Sequence, residues 1–295
     1  RYIPKMLAAL GITDPLPRAH NPSLYSPPVY SRAQLAAPAD SSPLLSPERA
    51  HRLQRIAGYL GYYAEVIDST MLTPTRQITS APGQARESDD AAGTQLLNYA
   101  ATWPNATVTF HPSDMQLKIM TDATYLSEPR AGSRVAGLHY LGDHPDKPQW
   151  INGAIRAISR RLDVVVSSAF EAELGGTFMN ATESLVITRV LTLLGHAQLP
   201  TDITGDNSVA VDVCNGRSSQ RRHKSIDMRF EWIICRTKQK QFHVHWRPGI
   251  DNLADYFTKK HSTQHHKDMR RFFVSDPPPP TAPDTPSARR NARRA

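Results

Sequence analysis

Apolar positions recur along this chain with two different periods, and the change near Pro104 divides it. Upstream, Leu53, Ile56, Ala57, Leu60, Ala64 and Ile67 fall three or four apart and predict one apolar helix face. Ser46-Pro47 predicts its start: a hydroxyl N-cap, then proline at the first helical position, where a missing N–H costs nothing. A second helix is predicted over Ser88–Trp103, with Asp89 and Asp90 at the positive end of its dipole. The opening run RYIPKMLAALGI reads as the end of a helix. After Pro104 the pattern alternates, and Val108–Phe110, Met115–Thr121, Arg134–Leu141 and Ala154–Ser159 read as strands. In the second of these, Leu117 and Ile119 face one way while Met120 and Asp122 face the other.

Further on, helix and strand patterns interleave. Ser168-Ala169-Phe170-Glu171 is an S-x-x-E capping box opening a helix with Phe170, Leu174 and Phe178 on one face. A further apolar helix, Leu185–Leu194, is predicted to stop at Gly195. Thr201–Gly205 reads as a short strand, Ser208–Cys214 and Ile226–Lys238 as helices, and Phe242, Val244 and Trp246 alternate in a strand. Pro248-Gly249 turns the chain into a last helix over Asn252–Lys259. A strand meander followed by alternating helices and strands predicts a mixed α/β sheet flanked by helices.

Composition limits how much of the chain packs. Of the 24 prolines, eight lie between Asp14 and Pro47 and six after Ser275, so those two stretches are not expected to build cores. The apolar fraction of 39% supplies one real core for the remainder, roughly Ser46–Val274. The net charge is +8, and Arg217, Arg221, Arg222, Lys224, Arg229, Arg236, Lys238, Lys240 and Arg247 crowd one stretch against only Asp227 and Glu231. That density suggests a polyanion partner more than simple solubility. Cys214 and Cys235, both in apolar helical surroundings, read as buried thiols in a reduced, intracellular setting. No run is long and apolar enough to span a bilayer, and no membrane partner is expected. The chain opens on Arg1 rather than Met, so a piece of something longer is expected.

Four acids stand out by placement. Asp122, Glu173, Asp206 and Asp255 each end a strand-like run or lie in the first turns of a helix-like one. Hydrolysis of a phosphodiester by two metal ions needs hard oxygen ligands converging from separate elements. Taken singly, each has an ordinary reading: Asp206 could cap the helix after Asn207-Ser208, and Asp255 could balance a helix dipole. Glu171 sits where the capping box needs it. Glu173 has no such local duty, which makes it the preferred ligand of the two. His243 and His245 alternate onto one strand face, a zinc-ligand pattern, but no Cys lies near to complete it. His261, His265 and His266 fall in a polar stretch and read as solvated.

Together these stretches resemble a known family. TDATYLSEP, SSAFEAELGG, GDNSVAV, HKSIDMRFEWI and WRPGIDNLADYFTK are similar, in that order, to the ribonuclease H domain of Ty1/copia-type retrotransposon polyproteins. LQRIAGYLGYYAEVIDSTML and TQLLNYAATWPNATVTFHPSD resemble the connection segment between reverse transcriptase and ribonuclease H, and RYIPKMLAALGI resembles the last part of the polymerase. The resemblance implies a ribonuclease H-like mixed five-stranded sheet flanked by helices, preceded by a mostly helical connection segment. With the composition, it divides the chain into a polymerase end (1–12), a Pro/Ser-rich linker (13–45), the connection (46–105), the ribonuclease H-like domain (106–274) and, from composition alone, a disordered Pro/Arg-rich tail (275–295).

The resemblance further implies that Asp122 ends the first strand, Glu173 lies in the first long helix, Asp206 ends the fourth strand, and Asp255 sits in an N-x-A-D element with Asn252 and Ala254. These four would hold two Mg²⁺ ions (Mn²⁺ as a substitute), with Asp122 shared between them. The substrate would be the RNA strand of an RNA–DNA hybrid. Asn207 and Ser208 are the expected contacts to the ribose 2′-OH, and Arg221, Arg222 and Lys224 the expected phosphate contacts. Partners would be the hybrid and the upstream polymerase region of the same polyprotein, in a cytoplasmic particle or the nucleus.

Three departures matter. The loop Arg247-Pro248-Gly249-Ile250 lacks the histidine that cellular enzymes of this class carry, so turnover is expected to be slow. The polymerase's Tyr-x-Asp-Asp element is absent, so the chain is not expected to polymerise. The tail has no family counterpart. The competing expectation is a catalytically silent retroelement remnant that only binds nucleic acid. An integrase-like nuclease is the third, and the late N-x-A-D-x-x-T-K element fits it less well. Residues 1–105 are expected to be partly exposed, since the polymerase surface they would cover is missing.

Overall fold

The computed structural model describes residues 2–27, 40–80, 84–147, 151–217 and 228–276. Four helices come first: α1 (Tyr2–Ala9), α2 (Pro47–Val66), α3 (Leu72–Thr79) and α4 (Glu87–Thr102). Ser46 caps α2, its side chain accepting from the Arg49 N–H, with Pro47 at the first position as the sequence predicts. Next come β1 (Gln116–Glu128), β2 (Gly132–Gly142) and β3 (Ala154–Arg161), then α5 (Ala169–Leu193), β4 (Thr201–Gly205), α6 (Ser208–Cys214), α7 (Met228–Lys238) and β5 (Phe242–Trp246). Two 3-10 turns, Gly249–Asp251 and Leu253–Phe257, precede α8 (Thr263–Arg270).

The five strands form one sheet in the order β3-β2-β1-β4-β5. β1, β2 and β3 are an antiparallel meander, with Asp122 opposite Ala136 and Ala136 opposite Ser159. β4 runs parallel to β1 and β5 parallel to β4. Parallel neighbours need a crossover. Here α5 carries the chain from the β3 edge across to β4, and α6 and α7 link β4 to β5. A meander continued by two parallel strands, with the long helix as the crossover between them, is the ribonuclease H-like arrangement.

Each face of the sheet has its own core. Leu117, Ile119, Ile203, Phe242 and Val244 pack with Leu174, Ala181 and Leu191 of α5 and with residues of α6 and α7. The opposite face, with Met120, Ala136, Leu138 and Ala157, packs with Ile56, Leu60, Leu96, Leu97, Phe257 and Phe273. The alternation read from β1 therefore holds, because its two sides meet different layers.

Several expectations are corrected. Val108–Phe110 forms no strand, and Phe110 is exposed. The two helices predicted across Phe170–Leu194 are one, since no residue between them breaks the backbone ladder; it ends at Gly195, whose φ of +94° suits glycine alone. The last predicted helix, Asn252–Lys259, is two short 3-10 turns. α3 and α8 have no counterpart among the predicted elements. Cys214 is buried but Cys235 is exposed, lying on the outer side of α7. His261 and His266 are buried, not solvated, and His266 Nδ1 lies 2.6 Å from the Tyr256 hydroxyl.

The first hundred residues are not left uncovered. α1, α2, α3 and α4 share the second core with the sheet, which supplies the apolar surface they need. Within residues 13–27, Asn21 Nδ2 donates to the His261 carbonyl at 2.8 Å, and Gln95 Nε2 donates to the Asn21 carbonyl at 2.7 Å. Arg270 of α8 donates through Nε to the Tyr99 hydroxyl at 2.8 Å and lies 3.6 Å from the fully buried Asp68. Ser275, expected to open the tail, pairs with Thr107 through backbone hydrogen bonds. The Arg-rich tail beyond it lies outside the described residues. Leu60 is fully buried in the shared core. Leu60→Ala should cost about 2–5 kcal/mol and shift one cooperative urea transition. A second, separate transition in circular dichroism would show instead that the helices and the sheet fold apart.

Candidate active site

The site forms where the sheet changes from antiparallel to parallel pairing. β4 pairs with β1 only from Lys118 to Met120, while β1 runs on to Glu128 against β2. Asp122 thus lies inside β1, not at its end as expected, just past the reach of β4. Asp206 follows immediately after β4, beside it. A gap at the carboxyl end of a strand, at such a switch point, is where open α/β sheets place ligands.

Glu173 is delivered by close helix packing. Gly176 lets α5 lie directly on β1: a Cβ there would be 3.2 Å from Thr121 Oγ1 and 3.4 Å from the Asp122 carbonyl. Asn180, one turn on, ties the same interface, its Nδ2 donating to the Ala136 carbonyl at 2.9 Å while Oδ1 meets His139 Nε2 at 2.8 Å. Ser168 caps α5, and Glu171 turns back to the Ser167 N–H at 2.8 Å. The Ser168 cap read from sequence is real, while the Glu171 carboxylate serves Ser167 rather than the Ser168 N–H of a strict capping box; either way Glu171 is engaged outside the site, which leaves Glu173 for it. Asp206 is likewise released, because Asn207 caps α6 by accepting from the Ala210 N–H at 3.1 Å.

Carboxylate oxygens of Asp122, Glu173 and Asp206 all lie within 4.8 Å of one another. Asp255 stands at the rim. Its charge acts on the other three, and its own Oδ1 is 2.6 Å from Lys259 Nζ. The turn that carries it is pinned to β1 by Asn252 Nδ2, which donates to the Thr121 carbonyl at 2.9 Å. Thr258 Oγ1 donates to Asp122 Oδ2 at 2.8 Å. Gly249 abuts the third acid, where a Cβ would fall 2.8 Å from Asp206 Oδ2. Sequence reasoning placed Asn252, Thr258 and Lys259 in the N-x-A-D-x-x-T-K element but gave Thr258 and Lys259 no role at the site, although their spacing of three and four after Asp255 puts them on one helical turn with it. Asn207 and Ser208 flank Asp206 at the entry to α6, with Ser208 exposed. Arg221, Arg222 and Lys224 lie outside the described residues.

Among the described residues, this cluster is short of countercharge. Asp122 is 4% exposed and Glu173 9%. Burial, then the neighbouring acids, raises the Asp122 carboxyl to about 7. Burial, then Asp122 and Asp206, raises Glu173 to about 9, despite a hydrogen bond from the Ala123 backbone. Asp206 is raised as well, first by burial. Two carboxylates this close repel by roughly 3 kcal/mol at an effective dielectric near 20. Lys259 is half exposed and engaged with Asp255, too little to offset three acids. Hard, crowded, under-neutralised oxygens suit a divalent cation that prefers oxygen ligands. Asp122, Glu173 and Asp206 would hold it, with Asp255 at the margin.

The sign of the pH effect follows. An acid whose folded pKa is raised favours folding when protonated, so its contribution is full below the unfolded pKa near 4. It is lost as pH climbs through about 7 for Asp122 and about 9 for Glu173. Without divalent ions, melting temperature should therefore fall between pH 5 and pH 9 more steeply than in Asp122→Asn. Added Mg²⁺ or Mn²⁺ at pH 8 should recover the loss in the parent protein only. Parallel melting curves for the two proteins would refute this account.

No family model matches the sequence, and no curated protein matches it. Among solved structures, the chain is similar to LC11-RNase H1, isolated from compost by a metagenomic approach, at 12% identity and TM-score 0.36, over 48% of this chain and 92% of that one. It is similar to the RNase H1 of the halophilic archaeon Halobacterium salinarum NRC-1 at 10% identity and TM-score 0.32, over 47% and 90%. It is also similar to a foamy viral protease-reverse transcriptase in complex with dsDNA at 15% identity and TM-score 0.30, over 48% and 90%. The ribonuclease H-like assignment stands on the strand order and register, independently of these alignments.

Proposed function

We propose that the chain is a metal-dependent endoribonuclease that cleaves the RNA strand of RNA–DNA hybrids, as the ribonuclease H part of a Ty1/copia-type reverse transcriptase. The observation that carries this reading is the meeting of Asp122, Glu173 and Asp206 just past the point where β4 stops pairing with β1, with oxygens within 4.8 Å of one another. The donor set is carboxylate alone, which fits two Mg²⁺ ions, or Mn²⁺ in their place. Bound there, such ions would supply a hydroxide-like nucleophile and offset the charge on the departing 3′ oxygen.

The remaining work falls to the chain itself. Thr258 and the Ala123 N–H hold Asp122 and Glu173 in place, so repulsion does not turn them away. Lys259 sets a positive charge at the rim beside Asp255, where a scissile phosphate would approach. Ser208 and Asn207, beside Asp206, are the proposed reporters of the ribose 2′-OH, the group that separates RNA from DNA. Arg221, Arg222 and Lys224 are the proposed backbone contacts, and binding through them would weaken steeply with salt. The helical segment over 46–105 is proposed to connect this domain to an upstream polymerase, in a cytoplasmic particle or the nucleus.

The full chain with a labelled hybrid and Mg²⁺ should yield cleavage confined to the RNA strand. Asp122→Asn and Glu173→Gln should each lower the rate by at least about a hundredfold. Glu171→Gln should keep turnover within a few-fold and lose only about 1 kcal/mol of helix capping. Hybrid binding with no Mg²⁺-dependent cleavage by the parent chain would favour the silent-remnant reading. Equal cleavage by the parent and Asp122→Asn would remove the nuclease reading altogether.

A further inference from the structure

A second group of metal-type ligands lies on the β4–β5 pair, outside the acid cluster. Asp202 of β4 is registered with His243 of β5, and Thr204 with His245, so Asp202 stands beside both imidazoles. His243 and His245 are two apart and share a face. Their strand neighbours Phe242 and Val244, with Ile203 of β4, fill the core on the other side. The ligand pattern noticed in the sequence thus gains a third member from 41 residues upstream, a carboxylate where a cysteine was looked for.

The distances suit one ion. His245 Nε2 is 3.1 Å from Asp202 Oδ1, and His243 Nδ1 is 3.7 Å from the same oxygen. All three ligand atoms lie within 4.8 Å of one another, and the imidazole centroids are 3.9 Å apart. Around a tetrahedral ion with bonds near 2.0–2.1 Å, ligand atoms sit about 3.3 Å apart, a value the two measured distances bracket. Lys118 Nζ binds the other oxygen, Oδ2, at 2.6 Å. That bond orients the carboxylate and leaves Oδ1 as a single ligand, the kind of outer support that metal-bound carboxylates receive. Two imidazoles and one carboxylate select borderline ions over Mg²⁺. Asp202 lies four residues before Asp206, about 13 Å along a strand, so one ion cannot serve both groups.

We propose that Asp202, His243 and His245 form a second metal site that takes a borderline divalent ion such as Zn²⁺ or Co²⁺, with solvent in the open position, and that clamps β5 to β4 at the sheet edge. A bound ion would tie an edge strand that has no further strand beside it among the described residues.

Co²⁺ titration of the full chain tests this, in an Asp122→Asn/Glu173→Gln background that weakens the acid cluster. One equivalent should bind with the strong visible absorption of tetrahedral Co²⁺. Zn²⁺ should displace it and excess Mg²⁺ should not. His245→Gln should weaken binding at least about tenfold and remove the band. His243→Ala should do the same, and its side chain is 61% exposed, so this change leaves packing undisturbed even if His245→Gln fails to fold. Zn²⁺ should raise the melting temperature of the background protein and not that of His243→Ala. A plain His–Asp hydrogen bond is the competing account. No tetrahedral band, or a band that survives His243→Ala, would overturn the proposal.

Discussion

Burial of like charge is the constraint around which this domain is arranged. Asp122, Glu173 and Asp206 are held together in a poorly solvated place although each raises the free energy of the others. Nothing local asks for that. It is imposed by covalent geometry and packing: Asp122 by β1, Asp206 by the end of β4, and Glu173 by the seating of α5 on Gly176. The rest of the fold supplies the rigidity that holds the repulsion in place. Such stored repulsion is what a cation would relieve, so the site's instability and its proposed chemistry have one origin.

The turn from Asn252 to Thr258 shows how support reaches the site from far away. Its Phe257 carbonyl accepts from the Ser159 hydroxyl of β3 at 2.7 Å and from the Thr73 hydroxyl of α3 at 2.9 Å. Phe257 itself is fully buried in the core shared with α2 and α4. The N-terminal helices therefore contribute more than cover for one face of the sheet. They fix the segment that presents Thr258 to Asp122 and carries Asp255. Apolar burial supplies the drive, and two hydroxyls supply the direction.

Legibility from sequence followed the range of the interactions. β4 and α6 were readable to the residue, because Gly205 and Asn207 punctuate them locally. The capping of α2 by Ser46 and of α5 by Ser168 was readable for the same reason, and it separated Glu171 from Glu173. α8 was not readable: its polar sequence looks solvated, and only contact with Tyr256 and Tyr99 buries His266 and Arg270. The Asn252–Lys259 stretch has a helical period but tightens into 3-10 turns, because Asn252 and Phe257 are each bonded to strands.

The amino-acid order alone determined the alternation of β1, the start of its helices, and which acids were not already spent on capping. Those properties depend on residues within a few positions of each other. Only the tertiary structure decided that Asp122, Glu173 and Asp206 meet, that Asp255 remains at the rim with Lys259, and that Asp202 joins two histidines of the next strand. Each of those outcomes depends on which strands lie side by side and in what register. That is settled by the burial of both sheet faces together, and no local run of residues records it.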